Sequence, residues 1–278
     1  VLAADAAPIR HDPLVATALA AADAALAEIV AGAASRHTLV WEAKTALDYV
    51  SEVDRAAERA IRVVLAEREP AAHVIGEEFS PDAAAGEGIT FVVDPLDGTT
   101  NFLHGFPWYA VSIGVLREGG LVAGVVRNAA TGECFAAAAG RGAWRLMPDG
   151  RDERLATSPI ADPAHALIGT GFPFKHRELI EPYLAQFARI AESTAGMRRP
   201  GAAALDLCDV ACGRFEGFWE LRLAPWDVAA GMLMVREAGG RVTDLHGHEA
   251  RVATGPLVAS NGQLHGWLLG TLAGTTGS

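Results

Sequence analysis

The sequence predicts a mixed α+β fold in two halves, and three observations carry that expectation. From Tyr109 to Ala138, short apolar runs are separated by the glycine-bearing turns Glu118-Gly119-Gly120 and Thr131-Gly132, the pattern of an antiparallel meander. Beyond Asp152, runs of strand length alternate with runs of helical length, as in an α/β arrangement. Between the two, a Pro/Asp/Gly cluster from Met147 to Asp152 marks the expected boundary, dividing residues 1–148 from residues 149–278.

In chain order, residues from about Pro13 to Ala34 form an alanine-rich helix, capped late by Gly32, and Trp41 to Asp48 form a polar loop. From Asp54 to Glu69, the apolar positions Ala57, Ile61, Val64 and Leu65 trace the stripe of an amphipathic helix. His73-Val74-Ile75 is a short strand that Gly76-Glu77-Glu78-Phe79 leaves at its end, and Pro81 to Gly88 is a surface loop. Phe91-Val92-Val93-Asp94 is a β-branched, apolar strand that Pro95 should stop, because proline cannot donate to a ladder. The meander then comprises Tyr109 to Leu116, Leu121 to Asn128 and Cys134 to Ala138. In the second half, strands are expected at Ala166 to Thr170, Gly196 to Arg199, Phe215 to Glu220, Arg241 to Asp244 and Leu257 to Ser260. Helices are expected at Glu178 to Glu192, Ala203 to Cys212 and Val228 to Ala238, with a last one reaching about Leu272.

Composition bounds the function. The chain has 278 residues, half of them hydrophobic, which is enough for a substantial core. Its formal charge is −11, and no basic cluster exceeds the pair Arg198-Arg199, so nucleic acid is not an expected partner. Three cysteines, Cys134, Cys208 and Cys212, cannot all pair internally and read as buried thiols of a reducing, cytoplasmic compartment. No N-terminal signal sequence is evident. The apolar stretch from Val15 to Ala34 contains Asp23 and Glu28, which suits a soluble helix better than a membrane span.

The chemistry concentrates on Asp94-Pro95-Leu96-Asp97-Gly98-Thr99-Thr100-Asn101-Phe102. Two carboxylates, a carbonyl at Leu96 and the amides of Gly98 and Thr99 at a helix start offer hard oxygen ligands beside an anion cradle, a combination suited to Mg²⁺ and a phosphate ester. Each acid also has a bland explanation. Asp94 and Asp97 could simply cap turn amides, Glu77 beside Glu78 could be solvated, and Asp54, Thr99 and Asp227 could cap or open helices. Convergence would decide the matter, since two carboxylates about 6 Å apart repel by roughly 3 kcal/mol at an effective dielectric of 20. A cluster of four needs cations.

The segments Gly76-Glu77-Glu78, Asp94 to Phe102 and Pro225-Trp226-Asp227-Val228-Ala229-Ala230-Gly231, followed by Glu237-Ala238-Gly239-Gly240, resemble the signatures of the inositol monophosphatase family in order and spacing. The resemblance runs from about Lys44 to Asp244. It implies Mg²⁺-dependent, lithium-inhibited phosphomonoester hydrolysis on a layered α-β-α-β-α sandwich of the inositol monophosphatase and fructose-1,6-bisphosphatase type, commonly dimeric. By motif, Glu77, Asp94 and the Leu96 carbonyl correspond to ligands of a first metal, and Asp94, Asp97 and Asp227 to ligands of a second. A third, weaker Mg²⁺ would lie near Glu77, with Lys44 on the loop beside it. Thr99 and Asp54 correspond to the pair that orients the attacking water, with Glu77 part of the same catalytic set. The Gly98 and Thr99 amides correspond to phosphate binders. Glu220, seven residues before Asp227, and Ala203 correspond to contacts with the polyol ring.

Within that resemblance, other branches of the family tend to carry lysine or another residue where Thr100 stands, so the run Thr99-Thr100-Asn101-Phe102-Leu103-His104-Gly105-Phe106-Pro107 implies inositol monophosphate, a small phosphorylated polyol, as partner. Histidinol phosphate is the runner-up, fructose 1,6-bisphosphate a further possibility on the same scaffold, and a catalytically silent metal-binding regulator the alternative outside enzymology. His104, Trp108, Trp144 and Trp219 read as packing or surface residues, and no spacing suggests zinc.

Overall fold

The structure is a computed structural model that describes residues 9–36, 42–45 and 48–274, with the strands inside 42–50 given by backbone alone. The chain opens into helix α1 (Pro13–Ala34), whose first turn is fixed by Asp12: its carboxylate accepts from the amides of Leu14 and Val15. Gly32 does not cap this helix. It lies inside it, and a Cβ there would sit 2.4 Å from Val53, so the glycine lets the next helix approach. Of the expected polar loop at Trp41 to Asp48, Trp41 and residues 46–47 lie outside the described residues, and the rest belongs to two short antiparallel strands, β1 (Glu42–Thr45) and β2 (Asp48–Val50). These strands pair with each other rather than with either large sheet, so no apolar pattern marks them. Helix α2 (Glu52–Arg68) begins at Ser51, which accepts from the Val53 amide while Asp54 bonds back to the Ser51 amide.

Next come β3 (His73–Gly76), β4 (Ile89–Asp97), α3 (Thr99–His104), β5 (Ala110–Arg117), β6 (Gly120–Asn128), β7 (Cys134–Ala138), β8 (Gly142–Arg145) and β9 (Glu153–Arg154). They form one seven-stranded sheet in sequence order, parallel between β3 and β4 and antiparallel thereafter. Pro95 does not end β4. The ladder skips between Asp94 and Asp97 and resumes where Asp97 faces Ala110, so the proline is accommodated as an irregularity. The sheet also runs through β9, past residue 148.

The second half contributes β10 (Leu167–Thr170), α4 (Ile180–Ala191), β11 (Gly196–Arg198), α5 (Ala203–Ala211), β12 (Gly217–Leu223), α6 (Pro225–Glu237), β13 (Arg241–Thr243), β14 (Gly255–Ser260) and α7 (His265–Ala273). Its five-stranded sheet has the order β11-β10-β12-β14-β13. Helices α1 and α2 cover one face of the first sheet, α5 and α6 lie between the sheets, and α4 with α7 covers the outer face of the second. That is the five-layered α-β-α-β-α sandwich. By length and apolarity α1 could cross a membrane, but Leu14, Val15, Ala18, Ala21, Ala22, Ala25 and Ile29 are buried against α2 and strands β5 and β6. Its apolarity therefore serves the core.

One polar knot ties the far edge of the second sheet to α7. His265 is buried, with Nε2 2.9 Å from Thr243 Oγ1 and Nδ1 2.8 Å from Ser260 Oγ. Thr243 donates its proton to the Asp244 carbonyl, so it must accept from Nε2–H, leaving Nδ1 to accept from Ser260. Burial holds the imidazole neutral and lowers its pKa to about 4. The unfolded chain takes up a proton near the ordinary value of about 6.5, so the stability this ring contributes is full above that pH and lost as pH falls toward 4. We expect urea unfolding to show that the stability of wild type relative to His265→Leu is about 2 kcal/mol smaller at pH 5 than at pH 7, whatever the net pH dependence set by the other groups, because each pH step of one between the two pKa values is worth about 1.4 kcal/mol. An identical acid dependence in wild type and variant would contradict this assignment.

Candidate active site

Three strand ends and three helix starts meet in one cleft of about 220 Å³. Glu77 enters from the turn after β3, Asp94, Leu96 and Asp97 from the end of β4, and Gly98 and Thr99 from the start of α3. Ala203 comes from the first turn of α5, Glu220 from β12 and Asp227 from the first turn of α6. Every residue singled out from the sequence lies in this cleft or touches it, except Lys44. That residue falls on β1, and its side chain lies outside the described residues.

Local chemistry explains each placement. Asp94 is buried, and one of its oxygens accepts from the Leu96 amide at 2.9 Å across the proline. Asp97, also buried, reaches the N-terminus of α5, where it accepts from the Ala204 amide at 2.8 Å. Asp227 is the third residue of α6 rather than its N-cap, because the helix starts at Pro225; its carboxylate accepts from the Ala224 amide at 2.7 Å. Asp54 is the third residue of α2 and takes both the amide and the hydroxyl of Ser51 on one oxygen. Its other oxygen accepts from Thr99 Oγ1 at 2.8 Å, and the Leu96 carbonyl lies 3.1 Å from the same hydroxyl. Gly98 makes the turn from β4 into α3 with φ 90°, and a Cβ there would come within 2.9 Å of the Trp108 carbonyl. No other residue fits.

The electrostatics follow from burial. The Asp94 carboxyl is pushed well above the usual carboxylate range by burial, then by Glu77, Asp97 and Asp227. Asp97 is raised in the same way by burial and by Asp227, eased only by backbone amides of α5. No cationic side chain is among the main influences on either acid. Asp54 is raised by burial, partly offset by Ser51 and Thr99. Among the described residues, no three His, Cys, Asp or Glu side chains already stand gathered to hold a metal ion. The acids line one cleft, with Asp94, Asp97 and Asp227 each anchored to a backbone amide rather than collapsing on a common point. An all-oxygen set of mutually repelling carboxylates fits a hard divalent cation.

Several lining residues leave little or no mark in the sequence. Asp206 on α5 faces the cleft, its carboxyl raised well above its ordinary value by burial and by Asp97 and Asp209; Trp108, expected only to pack, directs Nε1 at it from 3.4 Å. A charged residue inside the otherwise apolar run Ala202 to Cys208 was the available signal. The segment Gly171 to His176 forms one wall, and Lys175, Arg199 and Arg222 bring positive charge to it. The Arg199 guanidinium lies over the Phe174 ring, 5.5 Å from its centroid. Glu220 sits against them with its pKa pushed to about 8, by burial first and Asp227 second, Arg199 acting in the opposite sense. Asn101 Nδ2 donates to the carbonyls of Trp108 and Pro200, tying α3 to the loop before α5.

A family model described as the inositol monophosphatase family matches residues 10–275. The Nus factor SuhB of Pseudomonas aeruginosa is 45% identical over 233 residues, covering 82% of this chain and 84% of that protein. The inositol-1-monophosphatase of Rhizobium meliloti is 44% identical over 214 residues, 77% of this chain and 79% of that one. Among solved structures, the extragenic suppressor protein suhB of Bartonella henselae superposes with a TM-score of 0.85 at 38% identity, covering 93% of this chain and 98% of that one. An inositol monophosphatase from Anabaena gives a TM-score of 0.81 at 33% identity, covering 94% and 95%.

The raised carboxyls make a prediction about pH. Each binds its proton more tightly in the folded chain than in the unfolded one, so the stability linked to it is full below about pH 4 and lost as pH rises through the folded value, about 8 for Glu220. In chelator, thermal stability should therefore fall from pH 5 to pH 8, and Mg²⁺ should raise the melting temperature more at pH 8. Equal Mg²⁺ effects at both pH values would contradict it.

Proposed function

The chain belongs to the inositol monophosphatase family, and on that premise we propose that it is a Mg²⁺-dependent phosphatase hydrolysing inositol monophosphate or a close polyol phosphate to the alcohol and phosphate. The observation that carries this reading is the Thr99–Asp54 hydrogen bond opening onto a cleft whose buried acids are crowded by one another. Glu77, Asp94 and the Leu96 carbonyl would hold one Mg²⁺, and Asp94, Asp97 and Asp227 a second; a third, weaker ion would lie beside Glu77, where Lys44 is expected. When bound, Mg²⁺ supplies Lewis-acid polarisation of the phosphoryl group and acidifies water enough for attack at neutral pH.

The protein's own part is positioning and proton handling. Thr99 has one hydroxyl proton, and with Asp54 ionised it donates that proton to Asp54, which leaves an oxygen lone pair to accept from a water. Asp54 is fixed by its two bonds from Ser51, and its raised pKa makes it a better proton acceptor. The amides of Gly98 and Thr99, at the open end of α3, would meet the phosphate oxygens. Ala203 and Glu220 would face the polyol ring, Glu220 by accepting hydrogen bonds from its hydroxyls. No covalent phosphoenzyme is required.

Family likeness also supports a homodimer and lithium sensitivity. The three cysteines, all unpaired, suit the cytoplasm. Two observations favour other substrates. Asp206 and Glu220 offer carboxyls to an amine such as that of histidinol phosphate, while Lys175, Arg199 and Arg222 offer charge to a second phosphate, as in fructose 1,6-bisphosphate. Relatives named Nus factor SuhB support a further, non-catalytic role, which in a chain of charge −11 would engage a protein rather than nucleic acid.

Phosphate release from inositol 1-phosphate, histidinol phosphate and fructose 1,6-bisphosphate, by wild type and Thr99→Ala, tests the reading. We expect inositol 1-phosphate to be preferred and the variant to lose about 10²-fold in turnover, the usual size of an acid–base contribution. Preference for another ester would reassign the substrate. Turnover unchanged in Thr99→Ala would remove Thr99 from the chemistry.

A further inference from the structure

The turn that delivers Glu77 is held by a buried side chain from another element. Glu58, on α2, is fully buried, and its two oxygens are both engaged: Oε2 accepts from the Glu78 amide at 2.7 Å, and Oε1 accepts from Arg62 Nε at 2.8 Å. Arg62 in turn donates through its terminal nitrogen to Ser80 Oγ. Ser80 Oγ donates to the Val74 carbonyl at 2.9 Å and accepts from the Gly76 amide at 3.0 Å. The guanidinium also lies 5.8 Å from the centroid of the Phe79 ring. Around Glu77, then, the amides of Gly76 and Glu78 are bound by this network, the Glu77 amide by the Val93 carbonyl of β4, and the Ser80 amide by the Gly76 carbonyl.

The fit is steric as well as polar. A Cβ on Gly76 would stand 2.2 Å from Glu58 Oε1, so the backbone of the turn lies directly on the buried carboxylate. Burying a carboxylate is costly unless it is paired and bonded, and Arg62 together with the Glu78 amide meets that need. The paired charge thus fixes the backbone on either side of Glu77, a residue that lines the cleft.

We infer that Glu58, with Arg62 and Ser80, is a positioning clamp for Glu77 and sets the affinity of the metal site to which Glu77 contributes. The inference rests on the reading of Glu77 as a ligand. Glu58 does not itself line the cleft. In Glu58→Gln, the amide nitrogen must face either Arg62 Nε or the Glu78 amide, and each is a donor, so one of the two bonds is lost. Residues that orient metal ligands typically change metal affinity by 10- to 100-fold when replaced.

The test is calorimetric titration of the purified full chain with Mn²⁺, for wild type, Glu58→Gln, Ser80→Ala and Glu77→Gln, alongside melting temperatures and phosphate release as a function of Mg²⁺. Glu58→Gln is expected to weaken Mn²⁺ binding by about tenfold or more, to raise the Mg²⁺ concentration needed for half-maximal turnover in parallel, and to recover turnover at saturating Mg²⁺. Ser80→Ala should shift both quantities in the same direction, and it decides the matter alone if Glu58→Gln does not fold. Mn²⁺ affinity unchanged in both variants, with only the melting temperature lowered, would overturn the clamp and leave Glu58 a purely structural ion pair. Glu77→Gln separates the two ideas: if it weakens Mn²⁺ binding and Glu58→Gln does not, the clamp fails alone. If Glu77→Gln leaves binding unchanged, the ligand reading fails and the clamp falls with it.

Discussion

Everything about this molecule answers to one constraint, the gathering of buried negative charge where β4 ends. Asp94 and Asp97 are buried within three residues of each other, with Glu77 and Asp227 acting on them from neighbouring elements. No arginine or lysine ranks among the main influences on either. Other ion pairs show that the chain can supply such partners elsewhere: Glu58 has Arg62, and Asp209 has Arg214. Asp94 and Asp97 bond to backbone amides instead, which leaves room for a cation to enter and leave.

Those amides explain how the scaffold tolerates the arrangement. Asp54, Asp97 and Asp227 each bond to the amino end of a helix, α2, α5 and α6 respectively. The partial positive charge at a helix start favours a carboxylate there. Capping and function are therefore not rival explanations for these acids. The same bond that starts a helix holds the carboxyl at the cleft. Because α5 and α6 lie between the two sheets, residues from both halves of the chain are fixed relative to β4 by the central core that Ala204, Leu207, Val228 and Ala230 help to form.

Much of this was legible in the sequence because it is local. The β-branched run before Asp94, the glycine after Asp97 and the alternation in the second half each leave a mark within a few residues, and such marks located most of the strands and helices, though not β1, β2, β8 or β9. What was not legible depends on distant partners. That Pro95 sits within a continuing strand follows from Asp97 finding Ala110, and that Gly32 is a contact rather than a cap follows from Val53. The bond between Trp108 and Asp206, 98 residues apart, and the stacking of Arg199 on Phe174 leave no periodic trace at all. Glu58 is the clearest case: in sequence it is one acid on an amphipathic helix, and only the fold sets it under Gly76.

The central claim is that the cleft's crowded acids are a seat for divalent cations. The most direct measurement is an anomalous difference map from crystals soaked in Mn²⁺. Density is expected between Glu77, Asp94 and the Leu96 carbonyl, and between Asp94, Asp97 and Asp227. A map with no peak in the cleft, or with peaks only at other carboxylates, would contradict it.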